Sequence, residues 1–258
     1  MKMEMTRRAF LQVTATILIM PKLSFASEPA RNISLPILLY HDISYEVTDD
    51  YTMSPRVFAL QMEWLYNNGY RAISLADLES NTLPDRPILI TFDDGYASFI
   101  PYALPFLQTY GFKATINIIG QYIGTYLTER INRPMLSWDE YRYLASTGLI
   151  SLGCHTDRLH SYYNTGVLGV SGSSLLEDLK RFQDNFTKQM GAPSNIIAWP
   201  YGFYNEKSMT IAQKAGFRYM LTSKKGTYRE LGSTMEIPRN NVSNNDRLSE
   251  FLPKIEVK

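Results

Sequence analysis

The chain has 258 residues, 45% hydrophobic and 20% charged, with a formal charge of +1. This is the balance of a globular protein with one sizeable core, and it excludes a disordered chain. The charges form no basic stripe, which excludes a nucleic-acid surface, and the single cysteine, Cys154, excludes an intrachain disulfide.

Residues 1–26 have the pattern of a secretory leader: basic Lys2, Arg7 and Arg8, a short apolar run Ala15-Thr-Ile-Leu-Ile-Met20, then Ser24-Phe-Ala26. Thr6-Arg-Arg-Ala-Phe-Leu-Gln12 resembles a twin-arginine export signal; an ordinary secretory signal and an uncleaved anchor are the alternatives. The apolar run is too short to span a bilayer as a stable helix. The expectation is a mature chain from residue 27 to 258 with no transmembrane segment, exported to the periplasm, the cell surface or the medium. Its charge would be −2.

Strand-like and helix-like segments then alternate. Residues 34–40 form an apolar strand, and Ser54-Pro55 opens a helix through residue 67, stopped by Gly69. Residues 70–74 read as a short strand, 75–80 as a short helix and 87–92 as a buried strand. Residues 101–110 are helical up to Gly111, and 113–119 are β-like. Ser137-Trp-Asp-Glu140 is a capping box for a helix through residue 147. A strand at 149–153 precedes the longest amphipathic helix, 173–190. Strand 195–199, helix 205–215 and strand 218–222 complete about seven βα units. Such units predict an α/β fold with a parallel sheet or barrel, whose working residues sit at the C-terminal strand ends.

His41, the pair Asp93-Asp94, His155 and Tyr201 all follow predicted strands. Adjacent carboxylates at the end of a buried strand are costly unless paired, hydrogen-bonded or bound to a metal. Only three histidines exist, His41, His155 and His160, and the last two are five apart, a separation that can share a metal from a loop but not from a helix face. Two imidazoles and one carboxylate leave open positions, as catalytic metal sites require. One aspartate can then ligate while the other acts as base. Glycoside hydrolysis, the rival use of paired carboxylates, needs them on opposite sides of the bond. A helix cap or turn is the bland alternative for Asp-Asp-Gly, and a satisfied core histidine for His41. Cys154, beside His155, reads as a small buried residue at a strand end in preference to a ligand.

Thr91-Phe-Asp-Asp-Gly95, His155-Thr156 with His160, Pro36-Ile-Leu-Leu-Tyr-His-Asp-Ile43 and Trp199-Pro-Tyr-Gly202 together resemble the polysaccharide deacetylase family (NodB homology, carbohydrate esterase family 4). These motifs span residues 36 to about 240, and the histidine spacing is closest to that of poly-β-1,6-N-acetylglucosamine deacetylases. The resemblance implies a single-domain, distorted (β/α)7-type barrel over 27–258. It implies a divalent metal on Asp94, His155 and His160, zinc foremost, with cobalt, nickel or iron also compatible. Asp93 would be the general base, His41 the acid for the leaving amine, and the Tyr201 N–H an oxyanion donor. From the aromatic cluster of its loop, Trp199 joins Tyr201 as a candidate sugar platform. The family's motif-three arginine is replaced by Ala198, so Arg239 would orient the base, with a surface salt bridge as the alternative. A Leu-x-x-His motif is absent, since no histidine follows His160.

The implied activity is removal of N-acetyl groups from a β-1,6-linked N-acetylglucosamine polymer of biofilms, with exopolysaccharide synthesis or export machinery as partner. A deacetylase of peptidoglycan, chitin-like or other hexosamine polymers is the second reading. A sugar-binding module on the same scaffold is the third, and it would have no need for a base.

Overall fold

Seven strands pair with parallel neighbours in the computed structural model, which describes residues 32–46, 49–80, 82–128, 132–230 and 234–256. The leader assigned to residues 1–26 lies outside the described residues. The strands are β1 (Asn32–Tyr40), β2 (Arg71–Ile73), β3 (Pro87–Phe92), β4 (Ala114–Ile118), β5 (Ile150–Cys154), β6 (Ile196–Ala198) and β7 (Tyr219–Leu221). They run in the order β7-β6-β5-β4-β3-β1, with β2 beside the first half of β3. Register is tight: Leu38 lies opposite Ile90 and Tyr40 opposite Phe92.

Two short strands of the main sheet were not expected from sequence. β8 (Thr227–Glu230) pairs antiparallel with the start of β1, and β9 (Asn240–Asn241) pairs parallel with Leu38 and Leu39. Just before β9, Ile237 bridges Leu221 of β7, with Thr222 N–H donating to the Ile237 carbonyl at 2.9 Å. The arc 237–241 therefore joins the last parallel strand to the first and closes the distorted (β/α)7 barrel.

The helices are α1 (Pro55–Asn67), α2 (Phe99–Tyr102), α3 (Leu104–Tyr110), α4 (Trp138–Ser146), α5 (Gly172–Met190), α6 (Glu206–Lys214) and α7 (Leu248–Ile255). Ser54, Ser137 and Asn205 cap α1, α4 and α6 through their side chains, satisfying otherwise orphaned N–H groups. The helix expected over 101–110 is instead two pieces broken at Ala103. Pro105 has no N–H to give the carbonyl of residue 101, so a continuous helix loses a bond there. None of the helices among the described residues is long and apolar enough to cross a membrane.

Side chains alternate along each strand, and this divides the barrel into two cores. Leu38, Tyr40, Ile88, Ile90 and Phe92 point outward and pack with helix residues such as Phe58, Met62 and Leu107. Leu35, Ile37, Leu89, Ile196, Leu221 and Ile237 come from strands around the barrel yet form one separate cluster, its interior plug. Continuing on those inward positions toward the C-terminal ends, the residues become polar: Thr91, Asp93, Thr115, Asn117 and Arg239, all buried. The apolar plug thus forms the floor on which the polar strand ends stand.

Phe92 links this packing to the site, because it precedes Asp93 and meets Tyr40, Phe58 and Phe99 at ring distances of 5.4, 5.8 and 4.9 Å. Phe92→Ala is expected to cost about 3–5 kcal/mol. In urea unfolding the midpoint should fall with little change in slope.

Candidate active site

A cavity of about 260 Å³ opens at the C-terminal strand ends, lined by His41, Asp93, Asp94, His155, His160, Trp199, Tyr201 and Arg239 among others. The barrel thus gathers at one cavity every residue singled out from sequence, from β1, β3, β5, β6 and the closing arc.

Successive residues of an extended chain point to opposite faces, so Asp93 and Asp94 would part company if the strand continued. It does not: Asp94 is left-handed (φ 74°) and Gly95 follows at φ 94°. This turn brings the Asp94 carboxylate back over the barrel mouth. Its Oδ1 lies 3.5 Å from His155 Nε2 and 3.4 Å from His160 Nε2. A side chain at residue 95 would not fit, because a Cβ there would stand 2.1 Å from Tyr141 Oη.

His155 is aimed by its other nitrogen, as Nδ1–H donates to the Ala198 carbonyl at 2.9 Å. That bond leaves Nε2 as the lone-pair nitrogen facing Asp94. Burial, which outweighs the two aspartates, pushes the His155 pKa down to about 4, so the ring is neutral at pH 7. His160 arrives from a short 3₁₀ turn, Leu159–Ser161. Tyr201 Oη donates to the His160 carbonyl at 2.8 Å. The intervening loop is pinned from α5, where buried Asp178 accepts from Asp157 N–H at 2.8 Å and Arg158 N–H at 2.9 Å.

Asp94, His155 and His160 form the one group among the described residues whose ligand atoms converge for a metal, all within 4.8 Å. Asp94 Oδ1 is buried without a hydrogen-bond partner. Such an orphaned acceptor, facing two imidazole lone pairs, is the arrangement a divalent cation satisfies. Burial would raise the Asp94 pKa, but the three histidine rings outweigh it and hold the group well below the usual carboxylate range.

Asp93 has a different environment. Arg239 grips it with a two-pronged fork, NH1 to Oδ1 and NH2 to Oδ2, each at 2.7 Å, and Asn117 Nδ2 donates to Oδ1 at 2.7 Å. Arg239 is only 1% exposed, so the alternative of a surface salt bridge is ruled out. Burial raises the Asp93 pKa, but Arg239 and the neighbouring histidines bring it down to about 2.

Half-buried His41 lies edge-on to Tyr51 at 4.9 Å, and its Nδ1 is buried without a hydrogen bond. Burial dominates its pKa and lowers it, against an upward pull from Asp94 and Asp93. Tyr201 is left-handed at φ 58°. Trp199 is not an open platform: it is 1% exposed and stacked on Tyr204, so it forms part of the cavity wall. The more open rings near the site are Tyr162 and Tyr163, with Tyr163 6.1 Å from Tyr201. Cys154 is buried against the outer core and is no member of the ligand group.

Two supporting residues escaped the sequence reading. Asn117 had a readable signal, a polar residue at an inward position of the apolar strand Ala114–Ile118. Asp178 had none, since an acid on an amphipathic helix is ordinarily solvated.

The family model for polysaccharide deacetylase matches residues 80–220. The chain is 33% identical to YxkH of Bacillus subtilis over 198 residues, 74% of this chain and 65% of that protein. It is 24% identical to the poly-β-1,6-N-acetyl-D-glucosamine N-deacetylase of Escherichia coli strain K12, covering 89% of this chain and 40% of the relative. Among solved structures, IcaB from Ammonifex degensii superposes with a TM-score of 0.77 at 25% identity, over 87% of this chain and 97% of that one. The chain belongs to the polysaccharide deacetylase family. It spans less than two thirds of the length of YxkH and of the Escherichia coli protein.

The Asp93 fork has a pH signature. The folded pKa of about 2 lies below the unfolded value of about 3.9. The stabilisation is therefore complete above about pH 4 and is lost as pH falls toward 2. In Arg239→Gln the buried carboxylate loses its counter-charge, at a cost of about 3–5 kcal/mol. Its acid-unfolding midpoint, followed by circular dichroism, should move to higher pH than that of the parent.

Proposed function

We propose that this protein is a metal-dependent deacetylase that hydrolyses N-acetyl groups on a β-1,6-linked N-acetylglucosamine polymer. The observation that carries the chemistry is the division of the carboxylate pair. Asp94 faces two imidazole nitrogens, while Asp93, one residue away, is held apart by Arg239 and Asn117. The polymer is inferred from the histidine spacing and from the activity for which the Escherichia coli relative is named.

A divalent ion held by Asp94, His155 and His160 supplies the Lewis acidity that a base as weak as Asp93 requires. Asp93 is ionised at neutral pH and, fixed by its fork, orients a water and accepts its proton. The Tyr201 N–H donates to the oxygen that becomes negative as the carbonyl carbon turns tetrahedral. His41, when protonated, gives a proton to the departing nitrogen, and the proton that Asp93 took from the water restores the one His41 gave up, so the products are acetate and a free amine on the sugar. Trp199 walls the cavity against water. A binding module on this scaffold has no use for a carboxylate kept ionised and aimed, which disfavours that reading. The leader pattern of residues 1–26 supports an exported enzyme that meets its polymer beside the machinery that makes or secretes it.

Acetate release from a panel of acetylated polymers, by protein reconstituted with zinc, cobalt, nickel or iron, tests this. Asp93→Asn should retain metal and lose about 10²–10⁴-fold in turnover. His155→Ala should lose both metal and turnover. Near-normal turnover in Asp93→Asn would sink the base assignment, and no acetate from any polymer would leave the binding module in its place.

A further inference from the structure

Beside the catalytic cavity lies a second hollow of about 400 Å³. Tyr96 lines both, and successive residues of one strand end divide between them, His41 in the first and Asp42 in the second. The two spaces are thus neighbours on either side of one tyrosine.

The walls of the hollow combine open aromatic rings with paired charges. Tyr45 and Tyr102 meet edge to face at 5.3 Å, and Tyr45 is 73% exposed. An aromatic ring so exposed adds little to the core and offers a face to the C–H surface of a sugar. Around it, Arg133 donates to Glu46 Oε2 at 2.8 Å, and Ser98 Oγ donates to Asp42 Oδ1 at 2.5 Å. Asp42 is only 2% exposed, yet its Oδ2 makes no hydrogen bond. Arg133 Nε stands 3.3 Å away, an ion pair by distance, and it too lacks a hydrogen bond. Buried polar atoms left in this state gain from a ligand that supplies donor and acceptor together, as a sugar hydroxyl does. Among the described residues that line the hollow, Asp42 and Glu46 stand against Arg133, a balance that disfavours anionic sugars and admits a neutral acetylated unit or a cationic free amine.

We propose that this hollow is a subsite for the hexosamine unit adjacent to the one being deacetylated, with Tyr45 as its stacking face. The proposal rests on the deacetylase reading of the neighbouring cavity. It makes chain length matter: two or more linked units fill both spaces, whereas a single N-acetylglucosamine can be turned over without engaging Tyr45.

The test uses the metal-loaded protein with β-1,6-linked N-acetylglucosamine hexamer and with single N-acetylglucosamine. In Tyr45→Ala the ratio of kcat/KM on hexamer to that on the single unit should fall about tenfold, the scale of one lost aromatic contact. In an Asp93→Asn background, where turnover does not interfere, calorimetric titration should show hexamer binding weakened by a similar factor when Tyr45→Ala is added. An unchanged ratio together with unchanged hexamer affinity overturns the subsite. If the parent releases no acetate from either substrate, the deacetylase reading falls, and the titration alone decides. Equal hexamer affinity with and without Tyr45 would then overturn the subsite as well.

Discussion

The ion pair between Arg239 and Asp93 is the constraint on which this structure turns. Both partners are almost wholly buried, and two charges withdrawn from water must recover their hydration through geometry. They do so through the parallel bonds of the guanidinium fork, and the remaining groups of Arg239 are used as well. Nε donates to the Thr222 carbonyl at 2.8 Å, and NH1 also reaches Thr91 Oγ1 at 3.2 Å. One side chain therefore ties together β3, the chain leaving β7 and the closing arc. A charge that contributes little net stability as a pair here fixes the relative placement of three segments around the cavity. It also keeps Asp93 ionised and fixed in its own set of bonds, while Asp94 Oδ1 faces the Nε2 atoms of His155 and His160.

Backbone strain follows the same geography. Among the described residues, the non-glycine positions with positive φ are Asp94, Thr156 and Tyr201. Each is a site residue or the immediate neighbour of one. A left-handed conformation costs of order 1–3 kcal/mol at a residue with a β-carbon and persists only where its surroundings over-determine it. Here the surroundings are specific. His155 N–H donates to the Ile118 carbonyl at 2.8 Å, Gly120 N–H to the Thr156 carbonyl at 3.0 Å, and Asp178 holds the loop beyond. The rigid sheet absorbs the strain that a functional turn creates.

Much of this was legible in the chain. Apolar runs ending in His41, Asp93-Asp94 and His155 mark strand ends, and capping residues mark helix starts, because both signals are local. The seven parallel strands were countable for the same reason. What was not legible depends on contacts between distant residues. β9 is two asparagines, which carry no strand propensity and pair only because β1 offers an open edge. The sequence offered Arg239 as the partner of Asp93 with a surface salt bridge as the alternative, and its inward aim follows from the register set at Ile237, which the residues near 239 do not reveal. Helix α7 does show helical spacing in Leu248, Phe251, Leu252 and Ile255, but Pro253 within it argues the other way, and tertiary packing of Phe251 and Ile255 prevails. Trp199 looked like a platform because loop aromatics usually are open, whereas the tight turn at Pro200–Gly202 folds its ring inward against Tyr204.

The closing arc also sets an order of events during folding. Arg239 and Asp93 are 146 residues apart along the chain, and the arc that carries Arg239 docks between the first and last parallel strands. Contacts of such long range form late, because the entropy of closing a large loop must be met before the contact contributes anything. Until that docking, Asp93 is a carboxylate without its counter-charge at the mouth of an unsealed barrel. Completion of the fold and fixing of the Asp93 carboxylate are therefore one event, and a partly folded chain carries Asp94, His155 and His160 without an oriented Asp93 beside them.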